Sequence, residues 1–281
     1  KNWPQFRYSL EGVEDDLFQF SEKVGRVSGI LEGLPEETKQ EAIIDIILAE
    51  AIKTSEIEGE YPSRKDVLSS IRKNLGLQHS PEMIKDRSAA GLGELMIDVR
   101  RTFNEPLTEE KLFAWHVLLL SGHKRIEVGR WRKHSEPMQV ISGAIGKEKI
   151  HFEAPPSAKV PGEMKVFINW FNDTAPGGPA EIRKPPVRAA ITHLHFETIH
   201  PFLDGNGRIG RLLVTLLMEH WGLLDSPILY ISLALKQRRQ EYYQRLAEVR
   251  SLGAWEAWLQ FFLEAVADAA DNGVQTAESL F

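Results

Sequence analysis

The sequence predicts an all-α protein with one small β-hairpin, and three observations carry that reading. Apolar residues recur at spacings of three and four through most of the 281 residues. Only residues 138–152 break that rhythm, with two short apolar pieces flanking a glycine-containing loop. Glycine, proline and Ser/Thr/Asp residues punctuate the chain at helix-length intervals.

The opening stretch, Asn2 to Tyr8 with Trp3-Pro4, reads as an extended aromatic arm. Leu17, Phe20, Val24 and Val27 then mark a helix over 14–30, and Gly33-Leu34-Pro35 marks a turn. Residues 36–58 form a long helix whose wide apolar face holds Ile43, Ile44, Ile47, Leu48, Ala51 and Ile52, with Gly59 at its stop. Further helices are expected at 64–75 and 84–102, with a break at Asn104-Glu105-Pro106. Thr108-Glu109-Glu110 opens a helix running to Gly122. Met138 to Ile141 and Lys149 to Phe152 pair as the hairpin around Ser142 to Lys147. After Ala154-Pro155-Pro156, helices resume at 160–172, 187–199, 207–221, 236–250 and 254–270. A division into a helical region, 1–105, and a core, 106–281, is expected.

Composition narrows the function. With 34 basic against 40 acidic side chains, the net charge is −6, the wrong sign for coating nucleic acid. The absence of cysteine removes disulfide scaffolds, thiol nucleophiles and iron–sulfur clusters. No apolar run approaches a membrane span and no leader precedes a cleavage site. A cytoplasmic protein is expected, cut from a longer chain because it opens on Lys1.

Chemistry concentrates in His200-Pro201-Phe202-Leu203-Asp204-Gly205-Asn206-Gly207-Arg208-Ile209-Gly210-Arg211. Gly205, Asn206 and Gly207 tolerate positive φ and stand where a helix begins, so orphan N–H groups and the positive dipole end form an anion nest. Arg208 and Arg211, three apart, oppose that dipole unless a polyanion sits there. Asp204 supplies a hard oxygen for magnesium on a phosphate. His200 is placed to take a proton from a hydroxyl.

This segment resembles the signature of the Fic family at every defining position. The resemblance implies a Fic-type helical core with a β-hairpin flap and a protein adenylyltransferase, moving AMP from ATP to a Ser, Thr or Tyr hydroxyl of a target protein. On that likeness His200 is the base and Asp204 holds Mg2+. Gly205, Asn206 and Gly207 cradle the α- and β-phosphates, and Arg208 and Arg211 take the β- and γ-phosphates. Phe202 anchors the loop. The piece holding Ile150, His151 and Phe152, followed by Pro155-Pro156, stands where relatives carry the flap that binds a target segment, although a hairpin of this size also serves structure alone. Tyr242-Tyr243 match a pair that lies near adenine in relatives, while aromatic residues at helical spacing equally build cores.

Upstream, Thr54 and Glu58 share a helix face in Thr54-Ser55-Glu56-Ile57-Glu58-Gly59. A carboxylate in a last helical turn opposes the dipole and asks for a compensating cation, though a solvated glutamate would look the same. The segment resembles the family's inhibitory motif in a class II-like arrangement, which implies that Glu58 pairs with Arg211 and keeps the γ-phosphate from seating. Removal of AMP, with Glu58 positioning a water, is an alternative on the same site. A metal-dependent hydrolase using His193, Glu197 and His200 at i, i+4 and i+7 is another, although Pro201 disfavours helical geometry at His200. A nucleotide- or nucleic-acid-binding regulator using the strip Lys236, Arg238, Arg239, Arg245 and Arg250 is the non-enzymatic reading. A homodimer, and nucleic-acid binding through a C-terminal module outside this chain, complete the expected partners.

Overall fold

Eleven helices and one two-stranded sheet build the described part of the computed structural model, which comprises residues 9–77, 84–123, 126–142, 149–220 and 231–278. The expected aromatic arm and the hairpin's loop lie outside these residues. Helix α1 (Glu14–Glu32) packs along α11 (Trp255–Glu278), and α2 (Glu36–Ile57) crosses α9 (Ile231–Gln237). The hairpin of α3 (Arg64–Asn74) and α4 (Arg87–Arg101) leads to α5 (Glu109–Leu119). Strands β1 (Gln139–Ser142) and β2 (Lys149–Glu153) pair antiparallel, with Val140 opposite Phe152 and an irregularity between Val140 and Ile141. Then come α6 (Val160–Asp173), α7 (Pro185–Ile199), α8 (Asn206–His220), α9, α10 (Arg239–Leu252) and α11.

Local chemistry accounts for the starts. Ser63, Asp86 and Thr108 cap α3, α4 and α5, accepting from Asp66 N (3.3 Å), Ser88 N (2.9 Å) and Lys111 N (3.1 Å). Prolines open α6 and α7, where their missing N–H costs nothing. One apolar cluster then joins the elements: Ile44, Ile47 and Ala51 of α2 belong with Leu212 and Leu216 of α8, Leu235 of α9 and Phe262 of α11. The expected boundary near residue 105 falls between α4 and α5, and this cluster takes residues from both sides of it.

Two expectations on elements need correcting. The helix expected at 236–250 is preceded by a separate short one, α9, and the chain breaks at Arg238 before α10. Ile231, Ala234 and Leu235 of α9 are buried, and a buried apolar run shows no stripe to read. The last helix runs to Glu278 rather than 270.

Candidate active site

Helix α7 is buried along almost its whole length and ends at Ile199. His200 follows in the left-handed region (φ 51°, ψ 60°), the only non-glycine residue at positive φ among the described residues. Pro201 explains the break, since a residue before proline is pushed out of the right-handed helical region. The turn after it is held from inside. Asn206 Oδ1 accepts from Phe202 N (2.8 Å), and Asn206 Nδ2 donates to Phe202 O (2.9 Å). Phe202 is fully buried and stacks on His116 of α5, ring centroids 4.0 Å apart. Gly129 N donates to His116 Nδ1 (3.0 Å), so His116 carries its proton on Nε2 and gives it to Asp204 O (3.3 Å). Burial lowers the His116 pKa to about 4 and keeps the ring neutral.

The nest forms where this turn enters α8. Gly205 has φ +80° beside Leu119, a conformation that a side chain would strain. Helix α8 opens at Asn206, so its first N–H groups lack intrahelical acceptors. Asp204, with a side chain 43% exposed, stands at the mouth; its Oδ1 accepts from Gly205 N (2.6 Å) and lies 3.5 Å from Arg208 Nη2. An accessible carboxylate beside a phosphate-sized nest fits Mg2+, which takes one or two carboxylates and completes its shell with phosphate oxygens and water.

Both arginines are buried, and both face carboxylates from the end of α2. Arg211 Nε donates to Thr54 Oγ1 (2.9 Å), and Nη2 donates to Thr54 O (2.9 Å) and to Glu58 Oε1 (2.8 Å). A Cβ on Gly207 would overlap Glu58 Oε1, so the carboxylate rests against the first turn of α8. Burial works against the Arg211 charge, but Glu58, Tyr242 and Glu197 together outweigh it and the guanidinium holds its proton more tightly than in water. Here is the cation that the misplaced carboxylate of α2 asks for. Arg208, expected on phosphates, is ion-paired to Glu60 in this structure. Arg211 Nη1 and Arg208 Nε are buried with no hydrogen-bond partner among the described residues.

His200 has its Nδ1 3.7 Å from Glu197 Oε2. Burial, and then the Arg250 charge, pull the His200 pKa down to about 4, while burial pushes Glu197 up to about 7. The imidazole is therefore neutral at pH 7. Arg250 Nε donates to Thr198 Oγ1 (3.3 Å), and its guanidinium lies 4.2 Å from the centre of the Phe152 ring on β2. That contact ties the hairpin to α10. The side chains of Ile150 and His151 lie outside the described residues.

Two expectations are corrected here. Tyr242 is buried against Trp258 and Phe261, with its hydroxyl 2.8 Å from His193 Nε2, so it is a core residue rather than an open face for adenine; Tyr243, 37% exposed, is the accessible member of the pair. The same bond occupies His193, whose pKa burial lowers to about 3, and the break at His200 ends the helical face that would align it with His193 and Glu197. Among the described residues no group of three His, Cys, Asp or Glu could hold a metal. In the basic strip, Lys236 pairs with Glu56 (2.5 Å), Arg238 with Glu264 (2.7 Å) and Arg245 with Glu248 (3.0 Å).

Residues 106–218 match the model of the Fic/DOC family. That stretch is a Fic/DOC-family domain. Ahead of it, residues 1–77 match a domain of unknown function, DUF4172. The chain is 29% identical over 167 residues to the protein adenylyltransferase Fic of Nematostella vectensis, covering 58% of this chain and 34% of that protein. It is 36% identical over 144 residues to a probable protein adenylyltransferase of Aquifex aeolicus (strain VF5), covering 51% and 38% respectively. The chain thus spans about a third of the length of these curated relatives. Among solved structures, a Fic family protein from Desulfovibrio desulfuricans G20 superposes with a TM-score of 0.70 at 25% identity, over 97% of this chain and 77% of that one. A Fic domain containing signaling protein from Bacteroides thetaiotaomicron VPI-5482 shares the fold at a TM-score of 0.69, over 94% of this chain and 97% of that one, at 20% identity. These likenesses support the helical Fic fold with its N-terminal helices. Among the described residues no helix is long and apolar enough to cross a membrane.

Sequence reasoning missed Arg132, Glu60 and His116. Arg132 and His116 act on backbone atoms of the loop, which leave no trace in residue spacing. Glu60 stood two residues beyond Glu58 and was detectable as a second acid facing a second arginine.

Proposed function

We propose that this chain is a protein adenylyltransferase that transfers AMP from ATP to a Ser, Thr or Tyr hydroxyl of a target protein, and that it is held inactive by Glu58. One observation carries the reading: a neutral, half-buried histidine precedes an anion nest whose two buried arginines are occupied by carboxylates rather than by phosphates. In the reaction the hydroxyl oxygen attacks the α-phosphorus, the bond to the β-phosphate breaks, and pyrophosphate leaves. His200 takes the hydroxyl proton, as a neutral imidazole must. The N–H groups opening α8 and the guanidinium groups of Arg208 and Arg211 hold the phosphates in line. Asp204 would hold Mg2+, which would supply charge neutralisation on the leaving group. A target segment is expected along β2, adding main-chain hydrogen bonds to the hairpin.

Inhibition follows from competition. Arg211 cannot give the same N–H to Glu58 and to a γ-phosphate, so ATP binds with its α-phosphate out of line. Glu60 does the same at Arg208. The second reading, hydrolytic removal of AMP with Glu58 positioning a water, rests on the Glu58 carboxylate standing against Gly207 in the first turn of α8. Incubation with ATP labelled at the α-phosphate tests both. Covalent label on protein in the Glu58→Gly chain, absent from Glu58→Gly/His200→Ala, supports transfer, and no label in either refutes it. Loss of label from a pre-modified protein, faster with Glu58 than without, would select removal.

A further inference from the structure

We infer that Arg132 is the positioning residue for His200, fixing the imidazole against the flap root so that a hydroxyl presented along β2 meets the base in register. This rests on the transferase reading above.

Arg132 stands in the segment between α5 and β1, far from the signature loop in sequence, and is 2% exposed. It binds three successive carbonyls of the loop. Its backbone N donates to Pro201 O (2.9 Å), Nε donates to His200 O (2.8 Å), and Nη2 donates to Ile199 O (3.3 Å). Those carbonyls bracket the left-handed residue. The end of α7 leaves carbonyls without partners, and a left-handed non-glycine residue persists only where its surroundings over-determine it. Here the surroundings are one residue, through its guanidinium at Ile199 and His200 and its backbone N–H at Pro201.

The other side of the same guanidinium holds the flap root. Nη1 donates to Ser157 Oγ (2.9 Å) and Nη2 to Pro155 O, both just beyond β2. Ala154 N donates to Met138 O (2.8 Å), so this root continues the hairpin ladder. The flap root and the backbone of His200 are therefore bridged by a single planar, five-donor group. A lysine ammonium could not replace it, because its donors radiate from one atom and cannot reach carbonyls on both sides. Among the described residues the guanidinium makes no hydrogen bond to the nest or to Arg208 and Arg211, so its loss should leave nucleotide binding intact.

The test uses the full chain carrying Glu58→Gly, with labelled ATP and self-labelling as the readout. Arg132→Lys should lower the maximum self-labelling rate ~100-fold, the effect of about 1 Å of misplacement, while the ATP concentration giving half that rate stays within twofold. A maximum rate within threefold of the parent, or a rate and an ATP affinity that fall together, overturns the inference. If Arg132→Lys does not fold, Ser157→Ala carries the test. It spares the three loop carbonyls and should lower the maximum rate several-fold at unchanged ATP affinity; an unchanged rate again overturns the inference. If the parent labels nothing, the transferase reading has failed, and NMR of the His200 ring decides the positioning role alone. Its titration should move between the parent and Arg132→Lys, and identical curves overturn the role.

Discussion

Replacing Glu58 by glycine removes one charge-assisted hydrogen bond, that from Arg211 Nη2 at 2.8 Å, and opens the surface of Gly207 that its carboxylate covers. A hydrogen bond to a charged group contributes ~1.5–3 kcal/mol. The Glu58 side chain is 32% exposed while that of Arg211 is 1% exposed, so water screens one partner and a middle value of about 2 kcal/mol is apt. If that bond and the γ-phosphate compete for Arg211, its removal shifts the population of productively bound ATP ~30-fold, at about 1.4 kcal/mol per decade. The initial self-labelling rate at saturating ATP should rise by that order. A cost accompanies the gain. Arg211 keeps Thr54 Oγ1 and Thr54 O as acceptors but loses its carboxylate, and a buried charge left without its counter-ion destabilises the fold. The melting temperature should fall by ~4 °C, taking ~2 kcal/mol for a chain of this size, and ATP with Mg2+ should restore part of it. A folded Glu58→Gly chain that labels no faster than native refutes the competition argument. A double variant Glu58→Gly/His200→Ala that keeps the raised rate refutes the base.

Further expectations follow from the same geometry. His200→Ala should abolish labelling while equilibrium dialysis shows ATP bound as before, because the ring takes a proton and holds no phosphate. Glu60→Ala added to Glu58→Gly should raise the rate several-fold more by freeing Arg208, whereas Glu60→Ala alone should raise it little while Arg211 is blocked. Asp204→Ala should raise the Mg2+ concentration needed for half-maximal labelling at least tenfold, read in a metal titration. Glu197 has a pKa raised by burial to about 7 from an ordinary 4.5. Folding therefore retains a proton on it between those values, and its favourable share is lost as pH rises through 7. Glu197→Gln should then melt higher than native at pH 8 and close to native at pH 4.5, and a pH-independent difference would contradict the burial argument.

What was legible in the sequence was what is local. The residues from His200 to Arg211 form one turn and one helix start, and glycine, proline and asparagine specify that geometry within a few bonds. Glu58 was legible because helix electrostatics flag a carboxylate at the wrong end. The partner was not deducible from spacing, since Arg211 lies 153 residues away; the family likeness supplied it. Tyr242 misled because burial and ligand contact draw on the same residue type, and its hydrogen bond to His193 shows only once α7 and α10 are side by side. Arg132 was invisible because its partners are backbone carbonyls, which every residue possesses. Helix α9 was missed for want of a polar face.

The way α2 is built in has a consequence for any signal that would switch the protein on. Thr54 is wholly buried beside Arg211, and four residues earlier Glu50, 1% exposed, accepts from Ser232 N (3.1 Å) and Ser232 Oγ at the start of α9. An inhibitory segment on a tether can leave, but this helix is a structural beam whose withdrawal would open the apolar centre of the molecule. On the proposed inhibition by Glu58, activation by departure of α2 would be closed off, and so would activation by simple proteolytic removal of the N-terminal part. The acids themselves stand at and just beyond the end of α2, where the side chains of Glu58 and Glu60 are each about one-third exposed. An activating stimulus would need to turn two side chains about a stationary axis, and its natural point of purchase is the short stretch between Ile57 and Ser63.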